Sequence, residues 1–236
     1  MRSLKGVTME PVENDGTVLL LDKPAGWTSF DVVRKVRSVT GVRKVGHAGT
    51  LDPMATGLLI ICTGRRTRDV KTFMGMDKEY EAELTLGART ASFDAETPIQ
   101  ERKGADGITE EQVREVVASF VGTQEQTPPM WSALKVNGRR LYALARKGET
   151  VDRKPRTVTI HRIEVTAFEP PRVHCAVACS KGTYIRALAE DIGLRLGCGA
   201  YLSRLRRTRI GPYRVDDAVT IEQLVGRAEA AGSRPL

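Results

Sequence analysis

A single aspartate, Asp52, lies in the loop HAGTLDPMATG, residues 47–57, directly before the apolar run LLIIC. The loop is rich in glycine and threonine and carries no other carboxylate. A loop aspartate followed by proline commonly accepts hydrogen bonds from backbone amides in a turn. The rest of the sequence must show whether Asp52 has this structural role or takes part in chemistry.

The positive charge of the chain is concentrated in blocks. The net charge is +8 and the isoelectric point is about 9.5. The basic blocks are RKVRSVTGVRK at 34–44, RKPR at 153–156 and RLRRTR at 204–209. Separate basic blocks favour a polyanionic partner, and RNA is a leading candidate. Composition alone does not separate RNA from DNA or nucleotides.

Length and composition exclude several classes of protein. A chain of 236 residues predicts one elaborate domain. No stretch approaches the roughly 18 apolar residues of a membrane span, and the first residues lack a signal-peptide core, so we expect a cytoplasmic protein. The cysteines and histidines lack the spacing of a structural zinc site. Cys175 and Cys179, on one predicted strand, would lie about 13 Å apart, too far for a disulfide.

Hydrophobic patterns predict a mixture of strands and helices. Residues 17–22 and the run LLIICTG have the pattern of buried strands, and 79–87 alternates like a half-buried strand. SFDVVRKVRSVTG is typical of a helix that Thr28 or Ser29 caps and Gly41 ends. Further helices are predicted at TEEQVREVVASFVG, RRLYALARKG, TYIRALAEDIGLRLG and TIEQLVGRA, a hairpin turn at Asn137-Gly138, and long strands at TVTIHRIEVTAFEP and RVHCAVACSKG. Without strict β-α-β alternation, this indicates an α+β or mixed α/β fold with a mostly antiparallel sheet.

Ordered motifs resemble one family of enzymes. LDKPAGWTSFDVV, VGHAGTLDPMATGLL, KEYEAEL, SKGTYIRALAEDIG and LRRTRIGPY follow one another at spacings similar to those of the tRNA pseudouridine-55 synthases of the TruB type. The resemblance covers about residues 17–223. It implies a catalytic domain with an active-site cleft across a mixed sheet flanked by helices. It also implies isomerisation of uridine to pseudouridine without a cofactor or metal, and the sequence has no convincing phosphate-binding or dinucleotide motif.

The resemblance assigns catalytic roles to Asp52, Tyr80 and Arg186. Asp52 would be the catalytic aspartate, because a carboxylate can attack or stabilise the positive charge that develops at C1′ when a nucleoside bond breaks. Whether it bonds to the sugar or removes a sugar proton stays open. Tyr80 would stack on the flipped uracil, with its hydroxyl near the proton that C5 loses. Arg186 would pair with Asp52 and keep it ionised.

The resemblance also implies substrate-binding residues. His47 would fill the RNA stack that the target base leaves, and Lys23 would support the active-site loops. Leu205 would form an apolar wall of the uracil pocket and Tyr184 would pack beneath it. Small residues would let the backbone approach the nucleotide and would orient the loop: Gly49, Thr50, Thr56 and Gly57.

The implied partner is the T stem-loop of tRNA. The basic blocks, Arg206 and Arg207 included, would contact phosphates, and the target base would be extruded at a cost of a few kcal/mol. We expect a monomer, no membrane and no small-molecule cofactor. Members of the family often carry an additional C-terminal RNA-binding module of the PUA type. The short sequence after Ile221 predicts a single catalytic domain without it.

Other functions remain open from the sequence. A pseudouridine synthase that acts on ribosomal RNA would share the aspartate chemistry, although the motifs around His47 and Tyr80 favour the T loop. A guide-RNA-dependent relative would be expected to have further domains. A non-catalytic RNA-binding or RNA-folding protein would explain the basic blocks equally well, but not the combination of Asp52, Tyr80 and Arg186.

Overall fold

The computed structural model describes residues 16–132, 134–136 and 138–230. The chain divides into two compact units. The terminal unit comprises Met1–Glu79 and Arg206–Leu236, and the central unit comprises Tyr80–Leu205. The prediction of a single catalytic domain over 1–236 stays a prediction. None of the described helices is long and apolar enough to cross a membrane.

The terminal unit is built on paired strands that helices cover. Strand β1 pairs antiparallel with β3, and β3 pairs antiparallel with β2. The end of β12 pairs parallel with the start of β3, so the sheet is mixed. The elements are β1 (Val18–Lys23), α1 (Ser29–Thr40), β2 (Val45–His47), β3 (Thr56–Thr63), α2 (Val70–Met74), the end of β12 (Ala200–Ile210), β13 (Tyr213–Arg214) and α6 (Ile221–Ala230), with 3-10 turns at Gly64–Asp69 and Val215–Asp217.

Helix α1 forms where the sequence predicts it, because both of its ends carry capping residues. Thr28 accepts from the Asp31 backbone amide, the Asp31 carboxylate accepts from the Thr28 amide, and Gly41 ends the helix at φ 70°. The valines of one helix face pack against β1, β3 and α6, and this core contains Leu19, Leu21, Val32, Val33, Val36, Val39, Leu59, Ile61 and Leu224.

The central unit contains a run of neighbouring strands in which β10 pairs antiparallel with both β11 and β7. The strand order is β12, β4, β11, β10 and β7, and α3 packs against β10. The elements are β4 (Lys78–Leu86), β5 (Ala88–Thr90), β6 (Ile99–Arg102), α3 (Glu110–Ala118), β7 (Gly122–Gln126), β8 (Lys135–Val136), β9 (Arg139–Arg140), α4 (Leu141–Ala145), β10 (Arg156–Glu169), β11 (Arg172–Cys179) and α5 (Ile185–Arg195). The predicted fold class, α+β with a mostly antiparallel mixed sheet, is confirmed.

Local predictions in the central unit hold with some differences. The capping box of Thr109 and Gln112 starts α3. Strand β4 alternates as predicted except that Glu83 is buried, where its carboxylate accepts from Ser203 Oγ at 2.7 Å. The predicted polar connection at 101–108 begins inside β6. Strands β8 and β9 pair antiparallel as a hairpin requires, although Asn137 of the predicted turn lies outside the described residues.

Candidate active site

Asp52 occupies the first position of a tight turn between β2 and β3. Its carbonyl accepts from the amide of Ala55 at 3.0 Å, with Pro53 as the second residue, where the fixed φ of proline suits a turn. Asp52 is half-buried, and its neighbours Leu51 and Ala55 are buried. The predicted turn is therefore present. It positions the backbone of Asp52 and is compatible with a catalytic side chain.

Ser29 holds the loop from the side of helix α1. Its Oγ accepts from the amide of Leu51 at 2.9 Å and donates to the carbonyl of Leu51 at 3.3 Å. The sequence allowed either Thr28 or Ser29 as the helix cap. Because Thr28 is the cap, the Ser29 hydroxyl is directed to the residue before Asp52. Sequence reasoning missed this role.

Lys23 ties the loop to the turn that follows β1. This fully buried side chain donates from Nζ to the carbonyls of Pro24 at 2.9 Å, Trp27 at 2.6 Å and Pro53 at 3.2 Å. The carbonyl of Pro53 also accepts from the amide of Gly26 at 2.8 Å. These contacts attach the loop to the end of β1, and the predicted role of Lys23 in supporting an active site stays a prediction.

Arg207 holds the loop from the side of β12. Its side chain is buried, and it donates from Nε to the Leu58 carbonyl at 2.8 Å and from Nη2 to the Gly49 carbonyl at 3.1 Å. The prediction that Arg207 contacts phosphate is therefore wrong, because its donors serve the protein interior. Gly57, at φ 99°, lies against the same residue. A Cβ there would be 2.3 Å from the Arg207 carbonyl oxygen, so Gly57 allows β12, rather than a nucleotide, to approach closely.

Arg206 forms a two-pronged ion pair with Asp22. Nη1 lies 3.0 Å from Oδ1 and Nη2 lies 2.7 Å from Oδ2. This geometry is the strong form of an arginine–carboxylate contact. Of the block at 204–209, Arg206 is thus already engaged within the chain, which weakens the predicted role of this block in phosphate binding.

His47 ends β2, at the start of the loop. It is half-buried, and its Nδ1 has no hydrogen-bond partner among the described residues. Burial and the nearby positive charge of Arg207 lower the pKa of His47 below 6.5, while a backbone contact with Gly49 opposes the shift. The imidazole is consequently uncharged at neutral pH, which suits stacking better than ion pairing.

In the central unit, Arg186 forms a buried ion pair with Asp94. Arg186 Nη1 lies 3.2 Å from Asp94 Oδ2, and the two side chains are 4% and 0% exposed. Asp94 also accepts at Oδ1 from Ser92 Oγ at 2.5 Å and from the Glu96 amide at 3.0 Å. Because both carboxylate oxygens are engaged, Asp94 fixes the direction of the guanidinium. Sequence reasoning missed Asp94, although an acid within the small polar segment TASFDAETP resembles the setting of Asp52.

Tyr184 is held through both its backbone and its ring. The buried side chain of Gln126 accepts from the Tyr184 amide at 2.8 Å and donates to its carbonyl at 3.1 Å. The guanidinium carbons of Arg156 and Arg186 lie 4.5 and 5.7 Å from the ring centroid. Tyr184 therefore packs beside Arg186, directly before helix α5 begins.

Tyr80 and Leu205 are the remaining predicted residues of the central unit. Tyr80 lies on β4 on the buried face with Ala82 and Leu84, and Leu205 lies on β12; both are 9% exposed. The terminal unit holds the other predicted residues, with Thr50 exposed at the surface of the loop and Gly49 at φ 95°. The predicted pairing of Asp52 with Arg186 and the role of each residue stay predictions.

The donor set near Asp52 is poor in metal ligands. Over 16–230, with Ala133 and Asn137 aside, no group of three His, Cys, Asp or Glu side chains could hold a metal ion. The four cysteines are buried free thiols. In the terminal unit, the loop between β2 and β3 carries the Asp52 carboxylate, and the imidazole of His47 at its start is neutral.

Comparison with known proteins assigns the family. Residues 37–185 match the domain described as TruB family pseudouridylate synthase (N terminal domain), which covers more than half of the chain. The chain belongs to the TruB family. Residues 186–232 match a second TruB domain, described as the tRNA pseudouridylate synthase B C-terminal domain. The predicted family membership is confirmed.

Named relatives in the TruB family are close in sequence. The tRNA pseudouridine synthase B of Chlorobium luteolum is 53% identical over 221 residues, which cover 92% of this chain and 76% of that protein. The protein of the same name from Phocaeicola vulgatus is 50% identical over 214 residues, covering 88% of this chain and 91% of that protein.

Solved structures share the fold of this TruB chain. A chain in a Cbf5–Nop10–Gar1 complex is 34% identical with a TM-score of 0.72, covering 90% of this chain and 54% of that chain. A chain in an H/ACA RNP bound to a substrate RNA containing 2′-deoxyuridine is 31% identical with a TM-score of 0.68, covering 90% of this chain and 53% of that chain. The chain thus spans about half the length of these solved proteins.

Proposed function

We propose that this TruB-family chain converts uridine to pseudouridine at position 55, in the T loop of tRNA. The observation that carries the proposal is the anchoring of the Asp52 loop by Ser29, Lys23 and Arg207. These contacts hold the backbone on either side of the half-buried Asp52 before substrate arrives. Such preorganisation is how enzymes stabilise charge that develops in a transition state.

The reaction balances without a cofactor. The C1′–N1 bond breaks, the uracil turns, and a C1′–C5 bond forms, while C5 loses a proton and N1 gains one. Positive charge develops at C1′ as the first bond breaks, and Asp52 stabilises it either by bonding to the sugar or by removing a sugar proton. The proposal includes both of these roles for Asp52, attack on the sugar and removal of a sugar proton.

Residues of the central unit complete the proposed mechanism. Arg186, whose direction is set by Asp94, pairs with the Asp52 carboxylate and keeps it ionised. Tyr80 stacks on the uracil, and Tyr184 and Leu205 line its pocket. In the terminal unit, the neutral His47 fills the stack that the extruded base leaves. Extrusion costs a few kcal/mol, which contacts to the rest of the RNA must offset.

An unmodified tRNA transcript tests the proposal directly. We expect the purified chain to form pseudouridine at position 55, detected by mapping at single-nucleotide resolution. A transcript with cytidine at that position is the matched control and should yield no product there. Product at other uridines only, or in ribosomal RNA but not tRNA, would contradict the proposal.

The basic blocks give a second test, which separates exposed cations from internal ones. Arg43 and Lys44 are exposed, whereas Arg206 pairs with Asp22. If the exposed pair binds phosphates, changing both to Gln should reduce the slope of log affinity against log salt by roughly one for each phosphate that is no longer neutralised. Arg206→Gln is the matched control and should change the slope less. A slope of the Arg43/Lys44 variant equal to that of the wild type would mean that the exposed pair does not contact RNA.

A tRNA substrate further implies action in the cytoplasm, and we propose that the chain acts there as a monomer. Size-exclusion chromatography with light scattering at several concentrations tests the second point. A guide-RNA-dependent mode, suggested by the H/ACA structures, has less support because those chains are less similar than the named tRNA enzymes. Activity on the transcript without added RNA would separate the two modes.

A further inference from the structure

An aromatic ring is exposed on the outer face of α1 between arginines. The side chain of Phe30 is 56% exposed, and the guanidinium carbons of Arg34 and Arg37 each lie 5.9 Å from its ring centroid. The spacing i, i+4 and i+7 places the three side chains on one face of the helix. A single exposed phenylalanine is ordinary on a protein surface. Here, however, the exposed ring is flanked by two guanidinium groups, one from each of the next two helical turns. This arrangement combines a surface for stacking with positive charge.

The charge around Phe30 is positive. Arg34, Arg37, Arg43 and Lys44 are exposed. The nearby acid, Asp31, is engaged by the helix cap at Thr28 and by the ion pair with Arg34. Hydrogen bonds from Thr28 and Arg34 lower the pKa of Asp31 to about 2, so it stays ionised and paired above that pH. The face therefore presents net positive charge and an accessible aromatic ring.

Both ends of this face connect to the candidate active site. Ser29, adjacent to Phe30 in the chain, holds the Leu51 backbone beside Asp52. Arg37 donates from Nη2 to the carbonyl of Val45 at 3.2 Å, on the strand that ends at His47. All of these residues belong to the terminal unit. The face is thus continuous, through hydrogen bonds, with the loop and the strand that carry the predicted site residues.

We propose that the face of α1 formed by Phe30, Arg34 and Arg37 binds the RNA substrate, with Phe30 stacking on an unpaired base and the arginines on phosphates. The proposal rests on the proposed function. Proteins bind exposed nucleotides by stacking bases on aromatic rings and arginine planes while cations follow the backbone. Folded tRNA outside its stems presents unpaired bases, so the T-loop substrate and its neighbouring loops fit this chemistry.

Affinity for an unmodified tRNA transcript, measured by fluorescence anisotropy on the full chain, tests the stacking contact. We expect Phe30→Ala to weaken binding about tenfold, which corresponds to ~1.4 kcal/mol. Phe30→Trp should bind as tightly as the wild type, because it keeps a stacking ring. Phe30→Leu should bind as weakly as Phe30→Ala, because it keeps apolar volume but no ring. Turnover at saturating transcript should stay within about twofold of wild type.

Matched variants separate stacking from charge and from folding. Phe30→Ala should leave the salt slope unchanged, whereas Arg37→Gln, which removes a cation that donates to a backbone carbonyl, should reduce it by roughly one. Met74→Ala removes another exposed apolar side chain of the terminal unit and should leave affinity unchanged. Equal thermal transitions of all variants confirm folding. Normal affinity of Phe30→Ala, or tight binding by Phe30→Leu, would overturn the stacking contact.

The outcomes also distinguish this surface from the proposed function. If the wild type forms pseudouridine and Phe30→Ala binds normally, the surface is excluded and the function stands. If the wild type forms no pseudouridine but Phe30→Ala still loses affinity for the transcript, the α1 face binds RNA and the proposed reaction is wrong.

Discussion

Asp52→Asn should abolish pseudouridine formation while affinity for tRNA stays near that of the wild type. The substitution keeps the size and hydrogen-bonding shape of the side chain and removes its charge. The turn that places Asp52 depends on backbone contacts of Leu51, Pro53 and Ala55, so it should survive. We expect the rate to fall about a thousandfold or more, equivalent to at least ~4 kcal/mol of lost transition-state stabilisation.

The measurement combines single-turnover kinetics with a binding titration on the same transcript. Asp106→Asn, which changes an exposed loop acid of the central unit, is the matched control and should retain full activity. If the Asp52→Asn enzyme is active, Asp52 has only a structural role in the turn. An inactive variant that also fails to bind RNA would show that Asp52 acts before the chemical step.

Asp94→Asn should lower the free energy of unfolding by about 3–5 kcal/mol, the usual cost of leaving one partner of a buried ion pair uncompensated. The pair with Arg186 is almost fully buried, so solvent does not screen it. The amide keeps the volume but presents an N–H group or a neutral oxygen to the guanidinium. Chemical denaturation measures the loss directly.

The double variant Asp94→Asn with Arg186→Gln separates stability from catalysis. Removing the second charge should restore much of the stability, because no buried charge is then left unpaired. Turnover should stay low, since the proposed partner of Asp52 is absent. Recovery of both stability and turnover would give Arg186 a purely structural role. Unchanged unfolding of Asp94→Asn alone would mean that the ion pair contributes little.

Patterns of local origin predicted the fold well. The caps of α1 and α3 are short sequence motifs, because a hydroxyl and a carboxylate or amide three residues later satisfy the first helical amides locally. The alternation in β4 and the long strands β10 and β11 likewise follow from the period of side chains along a strand. The motif HAGTLDPMATG located the turn at Asp52 for the same reason.

Contacts between residues far apart in the sequence were harder to predict from the sequence. Arg207 belongs to a basic block, a pattern that indicates an exposed surface. It is nevertheless buried, and it donates to backbone carbonyls of β3 and of the loop before β3. Asp94 pairs with a residue 92 positions away, and no local pattern announces this. Glu83 follows the alternation of β4 as an outward residue but is covered by Ser203. The sequence shows which side chains are charged, but tertiary contacts determine whether each of them is buried and which partner it has.

The anchor of the Asp52 loop has a consequence for biosynthesis. The Gly49 carbonyl and Arg207, which donates to it, are 158 residues apart, with the whole central unit between them in sequence. Because a chain emerges from the ribosome N-terminus first, Asp52 is exposed to the cell long before Arg207 exists. Ser29 and Lys23 can hold the loop early, whereas the arginine can hold it only after the whole central unit has been translated. Chains released before Arg207 would carry the aspartate in a loop that lacks this contact, so full activity requires translation past Arg207.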